Sequence, residues 1–362
     1  VQTFSDIIGQ NSIIDHLSGA LRTGNISHAY ILCGDAGSGR RTIARAFAAA
    51  MQCADLAWED ESMLPRPCGC CLSCLQAQTD NQPDIITVAH EKPGSIGVGE
   101  IRRMRADVQI KPYANPYKVY IVPDAEKMTV QAQNALLKTL EEPPAYAVIL
   151  LIATGTDSFL PTILSRCVLL RMRAVGEEEI AKFLLDRADR PGDSGGQAGE
   201  DSGESAAPMT DEEAHVIARF AGGNPGRALQ LSRDDDFLVL RDKTLDLLQH
   251  LRDTDAGAIA AFAAEMDAGR QEELMNLILM WYRDVLLYRE SASAKNLIFG
   301  EDLQYIIEAA GTLSYEVLGQ IIDIVAEASR RLHSNVAADA VLETMLLRIR
   351  GAYRQRQSIQ KD

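Results

Sequence analysis

Short apolar runs of about five residues alternate with helical patterns over the first half of the chain. Ala29-Tyr30-Ile31-Leu32-Cys33, Asp84-Ile85-Ile86-Thr87-Val88, Val119-Tyr120-Ile121-Val122, Val148-Ile149-Leu150-Leu151-Ile152 and Cys167-Val168-Leu169-Leu170 are apolar on both faces. Such runs predict buried strands of a parallel sheet. Between them, Ile43 to Ala50 and Val130 to Leu137 carry good helix formers at helical spacing. Residues 1–173 read as one α/β domain.

A second, small helical domain is expected over residues 174–235. It begins with Gly176-Glu177-Glu178-Glu179-Ile180 and is interrupted at 191–208, where five Gly, two Pro and four acids come with no large apolar side chain. That composition cannot bury enough surface to order itself and predicts a flexible surface insertion. Helix resumes at Thr210-Asp211-Glu212-Glu213, a capping-box pattern. From 236 to 362 there is no convincing strand. Leu274, Ile278, Trp281, Val285 and Tyr288, then Leu318, Ile322, Val325 and Leu332, then Val341, Met345 and Ile349 recur every three to four residues, predicting a third, all-helical domain.

Composition narrows the class. The 362 residues are 46% hydrophobic and 24% charged, which excludes disordered and collagen-like chains. The 51 acids against 36 bases leave a net charge of −15, so a basic nucleic-acid coat on the isolated chain is not expected. The start, Val1-Gln2-Thr3-Phe4-Ser5-Asp6, lacks an initiator Met, which leaves a trimmed start open, and it has no leader-like charge or apolar segment. No apolar run reaches the roughly 18 residues of a membrane span, and a cytoplasmic protein with no membrane partner is expected.

Directly after the first strand comes Gly34-Asp35-Ala36-Gly37-Ser38-Gly39-Arg40-Arg41-Thr42, followed by helix. Strand, glycine loop and helix form a phosphate cradle. The pattern departs from G-x-x-x-x-G-K-[ST] in two places: Arg40 stands for the lysine and Arg41 for the hydroxyl residue that would hold Mg²⁺. A guanidinium can hold phosphate but cannot coordinate a cation. Thr42 comes one residue late, turned by about 100° on a helix. A later strand should end in an acidic pair, yet Val119 to Val122 runs into Pro123-Asp124-Ala125-Glu126, leaving Asp124 as the acid in register. Hydrolysis of ATP is therefore not expected, while nucleotide binding stays open.

Five of seven cysteines crowd one segment: Cys53, Cys68, Cys70, Cys71 and Cys74. Cys53, Cys68, Cys71 and Cys74 can converge as a closed four-thiolate zinc site; a redox dithiol and unligated thiols are the alternatives. Cys70 is the extra residue. The six histidines are scattered, and Arg102, Arg103 and Arg105 form either an interface or DNA-backbone patch or simply an exposed helix face.

Thr3-Phe4-Ser5-Asp6-Ile7-Ile8-Gly9-Gln10, His28-Ala29-Tyr30, the run Asn134 to Pro144 (Asn-Ala-Leu-Leu-Lys-Thr-Leu-Glu-Glu-Pro-Pro) and Ile163-Leu164-Ser165-Arg166-Cys167 resemble the bacterial clamp-loader ATPases of the AAA+ class. The resemblance implies an AAA+ domain bearing a zinc module, a helical lid and a helical collar. It implies a ring with gamma/tau and delta subunits that loads a sliding clamp on primed DNA within a DNA polymerase holoenzyme. It makes Arg166 an arginine finger acting on a neighbour's ATP, Thr154 the sensor beside the γ-phosphate, and Gly226 the place where active members carry a second sensor arginine. Lys138 is then either DNA-facing or simply solvated. The damaged motifs point to a non-catalytic member. The rivals are an active ATPase motor with an unusual loop and a zinc-dependent single-strand binder.

Overall fold

Side chains alternate across each long strand, and this alternation sets the layers. The structure is a computed structural model that describes residues 3–59, 64–90, 92, 94–188, 209–234, 236–266, 269–294, 297–332 and 337–359, without the side chains of 354–359. Two compact units result, Val1–Ser232 and Arg233–Asp362. The expected insertion at 191–208 lies outside the described residues.

In the first unit the chain runs α1 (Asn11–Thr23), β1 (Ala29–Cys33), α2 (Arg40–Gln52), β2 (Ala57–Trp58), β3 (Pro65–Arg66), α3 (Leu72–Gln78) and β4 (Ile85–Thr87). It continues through α4 (Val98–Val108), β5 (Lys118–Val122), α5 (Val130–Glu141), β6 (Ala147–Ala153), α6 (Pro161–Leu164) and β7 (Val168–Arg171). Five strands form a sheet of order β4-β5-β6-β1-β7, all parallel, while β2 and β3 make a small antiparallel pair. Ile31 of β1 is in register with Leu151 of β6 on one side and Leu169 of β7 on the other. Tyr30 and Leu32 pack under Ile13 and Leu17 of α1 and Ile43 and Phe47 of α2. Ala29, Ile31 and Cys33 face the opposite layer, with Ile101 and Met104 of α4 and Leu136 and Leu140 of α5. Each long strand is covered on both faces, which is why its sequence is continuously apolar.

Two expectations need correction. The run around Ile85 is an edge strand: Ile85 and Ile86 are half-buried and Thr87 is exposed, because only β5 pairs with it. Cys167 lies just before β7 and is half-buried.

Asp84 joins the sheet to the cysteine segment. Its carboxylate accepts backbone N–H groups from Tyr113 (2.6 Å), Ala114 (3.0 Å) and Asn115 (3.2 Å), and Asn115 in turn accepts the Ser73 hydroxyl of α3 at 2.9 Å. The unit ends in α7 (Glu177–Ala188), α8 (Asp211–Ala221) and α9 (Pro225–Leu231). The box at Thr210 forms: the hydroxyl accepts Glu213 N–H at 3.2 Å, and the Glu213 carboxylate accepts Thr210 N–H at 2.8 Å.

The second unit is built from α10 (Phe237–His250), α11 (Ala256–Ala264), α12 (Gln271–Ser291), α13 (Leu303–Thr312), α14 (Tyr315–Leu332) and α15 (Ala338–Ile359), with no strand among the described residues. Ile322 faces solvent at 41% exposure and the core position falls to Ile321, since Leu318, Ile321, Val325 and Ala328 complete one stripe. Among the described residues no helix is long and apolar enough to cross a membrane.

The fully buried Asp284 of α12 accepts N–H groups from Ile298 (2.6 Å) and Phe299 (2.8 Å), and Arg283 sits 2.8 Å away. Burial still pushes its carboxyl above the usual range. Asp284→Ala would orphan these donors and should lower stability by about 3 kcal/mol; a urea midpoint equal to wild type would rule that anchor out.

Candidate functional site

The glycine loop leaves the C-terminal end of β1, the place where open parallel sheets bind ligands. Gly37 and Gly39 have φ of 85° and 94°, backbone that side-chain-bearing residues resist. Gly34 has a packing role, since a Cβ there would lie 2.6 Å from Met172 Cβ. A cavity of about 1180 Å³ opens beside the loop, lined by Ile7, Gly37, Thr42, Phe183 and Gly226 among others.

The charges at the loop are arranged around the acid at the end of β5. Arg40 is 9% exposed, and its guanidinium has no hydrogen-bond or ion-pair partner among the described residues. Arg41 Nη2 lies 3.7 Å from Asp124 Oδ1 and Lys127 Nζ 3.3 Å from Asp124 Oδ2. A divalent cation at Asp124 would have to displace two side-chain cations. Arg41, not Thr42, meets this acid. The Thr154 hydroxyl donates to Glu126 Oε1 at 2.8 Å, leaving Oε2 of Glu126 buried without a partner. Burial raises the Cys33 thiol beside this group, against the pull of Arg171 and Arg40.

The start of α9 rests on the loop itself. Asn224 caps α9 by accepting Arg227 N–H at 3.1 Å, while its amide donates to the Ala36 carbonyl at 2.6 Å. Gly226 N–H donates to the Gly37 carbonyl at 2.9 Å. A Cβ at Gly226 would lie 2.7 Å from both Cα and O of Gly37, so the approach requires glycine. The strap leading to α7 is pinned on both sides. Gln10 donates to Arg173 O and accepts Arg173 N–H (2.7 and 3.0 Å), and Val175 N–H donates to Gly223 O at 2.9 Å.

Arg166 follows α6 and is 35% exposed. Its guanidinium reaches Glu141 Oε1 at 2.9 Å, Thr162 O at 3.1 Å and Ser165 Oγ at 3.3 Å. Buried Gln133 of α5 ties down the turn before α6, donating to Ser158 O at 2.8 Å and accepting Leu160 N–H at 2.7 Å.

The sulfurs of Cys53, Cys68, Cys71 and Cys74 all lie within 4.8 Å of one another, and Cys74 is buried. They can hold a metal ion. Cys68 N–H points to Cys53 Sγ (3.2 Å) and Cys71 N–H to Cys68 Sγ (3.3 Å). The N–H groups of Cys71 and Cys70 pull the Cys68 thiol down to about 6, whereas burial raises Cys53 and Cys74. N–H groups aimed at sulfur and four converging thiols suit thiolate ligation of a metal. Cys70 is exposed and outside the cluster.

Three residues at these sites escape sequence reasoning: Glu126, Glu141 and Asn224. Asn before Pro225 does signal a helix cap, but nothing in the sequence tells that its amide reaches Ala36.

A glycine loop at the end of a central parallel strand, a small helical segment seated on that loop and an all-helical second unit define a P-loop protein of the AAA+ kind. Residues 9–176 match the family model "DNA polymerase III, delta subunit", and 236–351 match "DNA polymerase III, delta subunit, C terminal". The chain belongs to that DNA polymerase III subunit family. It is 34% identical over 183 residues to the DNA polymerase III subunit tau/gamma of Haemophilus influenzae, covering 51% of this chain but only 25% of that one. To the DNA polymerase III subunit delta' of Bacillus subtilis it is 26% identical over 343 residues, covering 93% of this chain and 95% of that one. Among solved structures, a gamma-subunit-related protein of Thermotoga maritima is 18% identical, with 93% and 99% of the two chains covered and a TM-score of 0.45.

Gly226→Ala should destabilise the first unit by about 2 kcal/mol, because backbone stands where the methyl would go. Gly19→Ala on α1, with open space around it, should instead be neutral or stabilising by up to about 1 kcal/mol. Thermal melts of both variants check the contrast, and equal midpoints would contradict it.

Proposed function

We propose that the chain is a non-catalytic clamp-loader subunit of the delta-prime kind, acting in DNA replication. It assembles with gamma/tau and delta subunits into a ring that places a sliding clamp on primed DNA. It presents Arg166 to the ATP held by a neighbour. The reading gives the chain three domains: the AAA+ domain over 1–173, the lid over 174–235 and the collar over 236–362. Its setting is the cytoplasm.

The observation that carries this reading is the pairing of Arg41 with Asp124. In a working loop a hydroxyl and an acid share Mg²⁺; here the acid faces the Arg41 guanidinium at 3.7 Å and, among the described residues, no hydroxyl pairs with it. Arg40 still offers charge to a phosphate, so nucleotide can be held without being cleaved. Gly226 supports the same conclusion, because no sensor side chain fits where it touches the loop. Arg166, in contrast, is accessible and pre-oriented, and an arginine offered in trans stabilises charge developing on a transferring phosphoryl group.

The isolated chain should show no steady ATP turnover. A reconstituted assembly carrying Arg166→Ala should lose at least about tenfold of its DNA- and clamp-stimulated ATPase while still assembling. Turnover by the chain alone that depends on Arg40 would overturn the assignment.

Zinc fits the four-thiolate set, whose closed shell leaves no position for substrate and so makes the metal structural. Cys53, Cys68, Cys71 and Cys74 would staple a segment whose described residues form a hairpin of two-residue strands and one short helix. Metal analysis should find about one equivalent of zinc, lost in Cys71→Ser and kept in Cys70→Ser. A folded, metal-free wild type would refute the site.

A further inference from the structure

Beyond the arginine itself, and resting on the role just proposed for it, we infer that Glu141 is the positioning residue of Arg166. An arginine carries five N–H donors. In this chain Nη1 donates to Thr162 O and Ser165 Oγ, and Nη2 forms an ion pair with Glu141 Oε1 at 2.9 Å. Nε–H has no partner among the described residues. The guanidinium is thus held in orientation with Nε–H left over for an incoming oxyanion.

The frame that does this is α5. Gln133, 1% exposed, grips Ser158 and Leu160 at the start of the turn, and Glu141, eight residues further along the same helix, holds the guanidinium at its end. Two contacts from one rigid helix restrict both the backbone and the side-chain tip of Arg166. An exposed ion pair of this kind adds little to stability. Its effect is to limit the rotamers of a long side chain before the reaction, so that less ordering is needed when the phosphate arrives.

The experiment uses the reconstituted clamp-loader assembly and follows DNA-stimulated ATP hydrolysis as kcat and KM. Glu141→Ala should lower kcat about tenfold with KM for ATP unchanged and with co-elution of the subunits unaltered. Glu141→Gln, which keeps an oxygen acceptor for Nη2–H, should recover most of that loss. In an Arg166→Ala background, Glu141→Ala should add nothing, whereas a merely structural contribution would persist there. Unchanged or increased kcat in Glu141→Ala, or an additive loss in the double variant, would overturn the inference while leaving the arginine's role intact. If Arg166→Ala itself hydrolyses ATP like wild type, the proposed function falls, and the positioning role with it.

Discussion

A strand with neighbours on both edges and helices on both faces has every backbone group paired in the sheet and every side chain buried. Strand β1 meets that condition. Paired to β6 and β7 and covered by α1 and α2 on one side and α4 and α5 on the other, it cannot shift by one residue without inverting both layers. The glycine loop is fixed because β1 is fixed. Gly34 N–H donates to Ala153 O and Met172 N–H to Cys33 O, so the loop, Thr154 and the strap towards α7 all emerge from one hydrogen-bonded row.

On that rigid platform the chemistry is decided by a few charges. Asp124 at the end of β5 is satisfied by Arg41 and Lys127, and Thr154 is satisfied by Glu126. The polar groups around the glycine loop are thus occupied with each other. The groups facing outward are not exhausted in this way, since Arg166 keeps a donor available. Internal pairing at the loop and spare capacity at Arg166 are the contrast on which the proposed role rests.

Much of this was legible in the sequence, because the strongest signals were local. Five apolar runs gave the sheet, Thr210-Asp211-Glu212-Glu213 gave a helix start to the residue, and the cysteine spacing gave the four sulfurs that converge. The edge position of β4 was hidden, since Ile85 and Ile86 look the same in a central or an outer strand. Ile322 was misplaced because Ile321 and Ile322 compete for one stripe, and only packing chooses. Asn224, Glu126 and Glu141 were invisible for a different reason: their partners lie 188, 28 and 25 positions away or close a turn whose shape the sequence does not state. Residue types signalled chemistry, but the specific pairing of charges belonged to the fold.

On the non-catalytic role proposed for the chain, the seat of α9 on the loop constrains the order in which substitutions could build a hydrolytic site. Replacing Arg40 and Arg41 by lysine and threonine would reopen Asp124 yet supply no side chain at position 226. Replacing Gly226 first would drive its Cβ into the Gly37 backbone, a cost carried before any catalytic gain exists. On that proposed role neither order of change offers a beneficial first step, and the contact of Gly226 with the Gly37 backbone works as a ratchet against acquiring a sensor side chain.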